Sequence, residues 1–555
     1  MRRLPWVKIR KILLYFLAPL LAVGFVLFFV LKIMLGDMSV FLPYGAQIAG
    51  LTGEKNYLII FQNNNEIRPT GGFISSYGIL NFKHGGFSFD FADSYKMPNV
   101  KNLPPAPAPF NVLIEDPKFK GWYFRDSNFN VDFSVAVQDI LKLFAQQSGE
   151  KVVDFDGVIG VNFELLEDMI DIYDLELDGR KLTRENLFTV LEFETKNIDT
   201  HNIEALENRK NGLGELAHDL IGEMVLSPSK YGELMEVLNT GLDQKKLLLF
   251  FADEDLQGVV ENNGWGDIFV PDDYDNFIYT NIANIGGRKS DRYILKKHEY
   301  FVDFEDHGRG KVRYTLNLQH FGGYSLNSDT YKAYVRIFVP ENASVSLPKG
   351  YFEDYIFLKP GEKKEISVEY FLPKNITPEN FNLDLIKQPG TKDFWEVIVR
   401  TTAENVLKSD GFDVRDRLSL WSGYLLEDKH FDFEYIKDEI PPVIVWQKFL
   451  QPNLIAVNFS ESLDEDTFLN PKNYELKDLN YADDKTDDIE IEKIYFKNND
   501  VMIKTTGINY VLGERYALTL KHLEDLSGNK TIPETLKVTV VQDYLEPVAA
   551  PDATE

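Results

Sequence analysis

The 555-residue chain contains no cysteine. That single absence excludes disulfides, thiol catalysis, iron–sulfur clusters and cysteine-ligated zinc. Positive charge is scarce as well: 59 Lys and Arg stand against 87 Asp and Glu, for a formal charge of −28. A chain this acidic repels phosphate backbones, so nucleic-acid binding is excluded as a main activity. The eight histidines are scattered with no His-Glu-x-x-His, and no Gly-x-Ser-x-Gly elbow occurs, which removes the common zinc-hydrolase and serine-hydrolase signatures.

What the chain does contain is apolar and aromatic mass, 44% and 13% of residues, enough for folded cores. Its length calls for roughly three or four domains. Residues 12 to 31 carry no charge and follow Arg2, Arg3, Lys8, Arg10 and Lys11. Twenty apolar residues can cross a bilayer, and basic flanks mark the cytoplasmic side. The sequence therefore predicts a basic cytoplasmic tail at 1–11, a transmembrane helix over 12–35 and a single-pass protein of the cell membrane. Its amino terminus would be cytoplasmic and its carboxyl-terminal portion outside.

From 40 to 290 helical and strand patterns alternate, which predicts an α/β domain. Strands are expected at 57–61, 73–82, 86–91 and 152–161, and helical spacing shows at 135–144, 163–173 and 213–224. From 291 to 438, short strand patterns broken by Gly, Pro, Asn and Asp predict a β-sandwich. Pro441-Pro442 begins a further all-β module over 441–543, and the tail at 544–555 reads as disordered.

The stretch that organises the α/β region is Asn63-Asn64-Asn65-Glu66-Ile67-Arg68-Pro69-Thr70-Gly71-Gly72. It follows a strand pattern, and the carboxyl ends of buried strands are where α/β proteins bind ligands. Asn63, Asn64, Glu66 and Arg68 are therefore candidate ligand-binding residues. Against that stands a structural reading, an ion pair that rigidifies the turn with amides bonding local backbone. Asp93, at the end of the third strand, is a candidate acid or a turn starter. Arg288, in Gly286-Gly287-Arg288-Lys289-Ser290-Asp291, belongs to a basic, glycine-led string that could receive an anion or serve as a hinge.

These motifs resemble a known family. NNxExRPTGGF with the strand before it, Asp93-Ser94-Tyr95, the string NIANIGGRKSD at 281–291 and Gln388-Pro389-Gly390 are similar to the bacterial family called domain of unknown function 4012, over about 40–435. A more distant similarity is to the LytR-CpsA-Psr transferases, thought to move envelope polymers from polyprenyl-pyrophosphate carriers with Mg²⁺. That resemblance implies Arg68 as a pyrophosphate-facing arginine and Arg209, with Lys210, as part of a basic segment. The chain departs from it where amides at 63–65 replace an aspartate, and where Phe193-Glu194-Thr195-Lys196 replaces an arginine pair. Residues 441–543 resemble the immunoglobulin-like modules of bacterial surface-layer proteins, carried by the Phe459-Ser460 to Asp464 string and by Asp525-Leu526-Ser527-Gly528-Asn529. The implied function is a cell-envelope scaffold or ligand-binding protein contacting wall glycan or envelope proteins, without a cofactor. The alternative is a polyprenyl-phosphate transferase using Mg²⁺.

Overall fold

The computed structural model describes Lys32 and residues 35–539 apart from short internal stretches, the longest being 114–120, 149–153, 197–210, 305–308, 344–349, 480–488 and 507–513. The first sheet has the order β3-β2-β1-β4-β5, with β1 Lys55–Asn63, β2 Phe73–Lys83, β3 Gly86–Asp93, β4 Gly157–Asn162 and β5 Leu247–Phe251. β1 runs parallel to β4 and antiparallel to β2, so the carboxyl ends of β1 and β4 meet at the register pair Gln62–Asn162.

The run Tyr57-Leu58-Ile59-Ile60-Phe61 is apolar at every position because both faces of β1 are covered, while alternation still sends successive side chains to opposite faces. Leu58 and Ile60 pack with α1, Phe133–Ser148. That helix buries Phe133, Ala136, Val137, Ile140, Leu143 and Phe144, the i, i+3, i+4, i+7 stripe of an amphipathic helix. On the other face lie α2 Phe163–Ile170, α3 Arg184–Lys196, α4 Asn211–Leu226 and α5 Tyr231–Asp243, which share a core with Tyr57, Ile159 and Leu247.

Two further sheets face each other around a second core. One has six strands with Ile294–Asp303 and Phe394–Arg400 near its centre, and the other has five, centred on Phe277–Asn284. Tyr300, Tyr314, Val335 and Ile337 meet between them with essentially no exposure. A four-stranded and a three-stranded sheet enclose a third core built on Phe449, Ile455, Ile503 and Leu518.

The fold class expected from the sequence needs correction. Among the described residues no helix is long and apolar enough to cross a membrane. α1 and α4 are each 16 residues, short of the roughly 20 apolar residues a bilayer needs. Residues 12–31, where most of the expected span falls, lie outside the described residues. The transmembrane helix at 12–35, the single-pass placement and the membrane contact drawn from it are therefore not supported. What the structure shows is a multi-sheet, strand-rich chain.

Candidate functional site

Residues 64–72 leave the end of β1 and return into β2, and most of their polar groups are engaged within the protein. Asn63 Oδ1 accepts from Asn65 N and Nδ2, both at 3.1 Å. The Asn64 amide donates to Glu164 at 3.0 Å and to the Gly390 carbonyl at 3.4 Å. Buried Asn128 donates to Gln62 Oε1, Thr70 Oγ1 and the Gly72 carbonyl at 2.7–2.9 Å. Gly72 sits at φ +151°, where an added Cβ would be 2.5 Å from the Asn63 carbonyl carbon. Only glycine allows that return.

The same loop fastens the first sheet to the sandwich. Ile67 lies in the sandwich core, its N–H donating to Asp291 at 3.0 Å and its carbonyl accepting from Asn284 N at 2.9 Å. Gln388 accepts from Ile282 N at 2.7 Å and donates to the Arg68 carbonyl at 3.1 Å. Arg68 itself is 2% exposed and bonds Asp126 at 3.1 Å, with its guanidinium over the ring of Phe73. Its Nη2 is thus held in an internal ion pair, its Nη1 donates to the Ile67 carbonyl, and its Nε has no hydrogen-bond partner among the described residues.

Beside the loop lies a cavity of about 460 Å³, between the open face of β1–β4 and the helices α2 to α5. That volume is within the range of about 300–1,000 Å³ typical of small-molecule sites. Its walls are apolar: Ile59, Phe61, Phe91, Leu166, Leu220 and Met224 among them. Few polar residues reach it, and these include Gln62, Asn63, Glu66 and Asn162 at the carboxyl ends of β1 and β4, together with Lys289. Lys289 Nζ and the Arg292 guanidinium both lie over the ring of Phe188, another lining residue, at 5.6 and 4.2 Å.

Burial raises the pKa of Glu66, against the opposing charges of Arg68 and Lys289. Burial lowers that of Lys289, with Glu66 opposing. Since the folded pKa of Glu66 lies above its ordinary value of 4.5, the unfolded chain gives up this proton first as pH rises. The contribution to stability is complete below 4.5 and is lost as pH climbs through the folded value. Glu66→Gln is expected to flatten that slope, which urea unfolding at about pH 4 and about pH 7 would measure. An unchanged slope would mean that Glu66 is solvated.

The candidate residues thus separate. Asn63 and Glu66 line the cavity. Asn64 and Arg68 belong to the fastening described above. Asp93 is 4% exposed, and its carboxylate accepts from Tyr95 N at 3.0 Å as the cap of a single 3-10 turn. Arg288 is exposed, and its carbonyl accepts from Asn284. Arg209 lies outside the described residues. Asn162 and Lys289 were not singled out from sequence. Lys289 follows Arg288 in the basic string, but an asparagine between a strand and a helix reads only as a cap.

A magnesium ion would find one acid, Glu66, in the cavity wall among the described residues, too few for a magnesium site. Asp291 already accepts from Ile67 N, Asn284, Lys296 and Tyr331, and Asp126 is paired with Arg68. Among the described residues, Asp438, Glu461 and Asp525 bring ligand atoms within 4.8 Å of one another. Asp525 there accepts from Ser527 N and Asn529 N within its own turn.

Comparison with known proteins adds one family. Residues 52–195 match the model of "Protein of unknown function (DUF4012)". No curated protein matches the chain. Among solved structures, the N-terminal part of the bacterial S-layer protein SbsC is similar at 16% identity and TM-score 0.17, over 18% of this chain and 24% of that one. A longer S-layer protein structure, rSbsC(31-844), is similar at 16% identity and TM-score 0.16, over 20% and 14%. The matches span about a quarter and a seventh of those chains, and at these scores they do not bear on function.

Proposed function

We propose that this chain is a ligand-binding protein of the cell envelope that takes the apolar chain of an amphiphile into the cavity beside residues 63–72. The observation that carries the reading is the cavity itself, apolar along its walls and polar at one end. Apolar surface left uncovered in a folded interior forfeits roughly 25 cal/mol per Å², which an apolar ligand recovers. The envelope part of the reading rests on the resemblance of residues 441–543 to surface-layer modules. A polyprenyl phosphate is one amphiphile of the required kind. Transfer chemistry is not part of the proposal, because Arg68 is paired with Asp126, Asp291 is taken by protein donors, and Glu66 alone among the acids lines the cavity.

The test is titration with pyrene, a wholly apolar fluorophore, and with dodecyl phosphate. Both are expected to bind with one site per chain. Ala217→Trp, which places an indole in the cavity wall, is expected to weaken both about tenfold or more, equivalent to about 1.4 kcal/mol. Absence of binding to the unmodified chain, or binding untouched by Ala217→Trp, overturns the reading.

A further inference from the structure

Asn162 is 2% exposed and lines the cavity. Its Oδ1 accepts from Leu165 N at 3.1 Å and so caps α2. That bond fixes the orientation of the amide, because only the oxygen can serve as a helix cap. The nitrogen is left without a hydrogen-bond partner among the described residues. Buried amide donors are almost always paired, and an unpaired one that lines a cavity is placed to bond a group from outside the chain. In a cavity with so few polar residues, that place is specific.

We propose that Asn162 reads the head group of the ligand, its amide donating to an oxygen of a carboxylate or phosphate while the apolar chain runs along Ile59, Leu166 and Leu220. This rests on the cavity being a site for an amphiphile. The neighbouring charges suit an anion. Lys289 lines the same cavity, and Arg292 packs on Phe188 in its wall. Glu66 is the acid that lines it, and burial works against the charge of both Glu66 and Lys289. Asn162 lies opposite Gln62 in the register of β1 and β4, and the Gln62 carbonyl is taken by Thr70 and Asn128. The ligand oxygen therefore meets a donor at Asn162 where an apolar residue would offer none.

The experiment uses the full chain and four probes: dodecyl phosphate, dodecanoate, dodecanol and pyrene. Asn162→Asp keeps an oxygen for the cap and exchanges the donor for an acceptor. Asn162→Ser keeps a cap and removes the amide. Asn162→Ser is expected to retain the unfolding midpoint and Asn162→Asp, which buries a carboxylate, to lower it, while both lose about tenfold or more in affinity for dodecyl phosphate and dodecanoate. Pyrene is expected to bind as before. Loss for the phosphate alone, or the carboxylate alone, identifies which head group the site takes. Unchanged affinity of both anions in both variants, with pyrene still bound, overturns the role of Asn162 and leaves the cavity reading standing. Failure of pyrene and of all three amphiphiles to bind the unmodified chain overturns both.

Discussion

Arg68→Met is expected to lower the unfolding free energy by about 3–5 kcal/mol, the range for breaking a buried ion pair by removing one partner. The magnitude follows from what would remain. The Asp126 side chain is 15% exposed and loses its 3.1 Å partner, while Arg125 stays at 3.7 Å from the other oxygen. The guanidinium also leaves the ring of Phe73 and its bond to the Ile67 carbonyl. A phosphate-binding role predicts the opposite profile, little loss of stability and a large loss of affinity. Urea unfolding and a dodecyl phosphate titration on the same variant separate the two. Binding within about twofold of the unmodified chain, with stability lost, supports the structural role. Retained stability with binding lost assigns Arg68 to the ligand.

That contrast shows what the sequence could and could not carry. The strand over 57–61 was readable because five successive apolar residues need cover on both faces, and it lies within β1. The helical spacing over 135–144 lies within α1 for the same local reason. The patterning over 152–161 overstated its strand, since β4 begins only at Gly157 and residues 151–153 lie outside those described. The pairing of Arg68 was not readable. Its ion-pair partner Asp126 is 58 positions away and its carbonyl's partner Gln388 is 320 positions away. Glu66, two residues before it, looks from spacing like a partner for the same arginine. In the fold Glu66 lines the cavity while Arg68 pairs elsewhere, since the intervening Ile67 is anchored in the sandwich core. The cavity was illegible for a different reason. Its walls come from five strands and four helices, each of which shows only an ordinary apolar face.

Gly390→Ala is expected to loosen the join between the first sheet and the sandwich, and to cost more than the same methyl added at Gly361. Gly390 holds φ at +75°, and an added Cβ would fall on the Gly71 carbonyl oxygen and 2.9 Å from the carbonyl carbon and Cα of Gly71. The backbone conformation alone costs about 1–2 kcal/mol for a residue with a side chain. The collision adds about 1–3 kcal/mol for forced overpacking. Neither segment can relieve it cheaply, because both partners are backbone. The Gly390 carbonyl also accepts from Asn64, and Gln388 holds the Arg68 carbonyl, so a shift of this turn pulls on the whole loop. Gly361→Ala separates the two contributions, since Gly361 has φ +89° and open space around its Cβ position. It is expected to cost only the conformational part. Equal losses for the two variants in urea unfolding would mean that the Gly71–Gly390 contact carries no weight. A loss larger for Gly390→Ala by about 1 kcal/mol or more, with weakened pyrene binding, would show that the cavity mouth depends on this join. The loop at 63–72 would then hold the site open from behind while only Asn63 and Glu66 of it face the ligand.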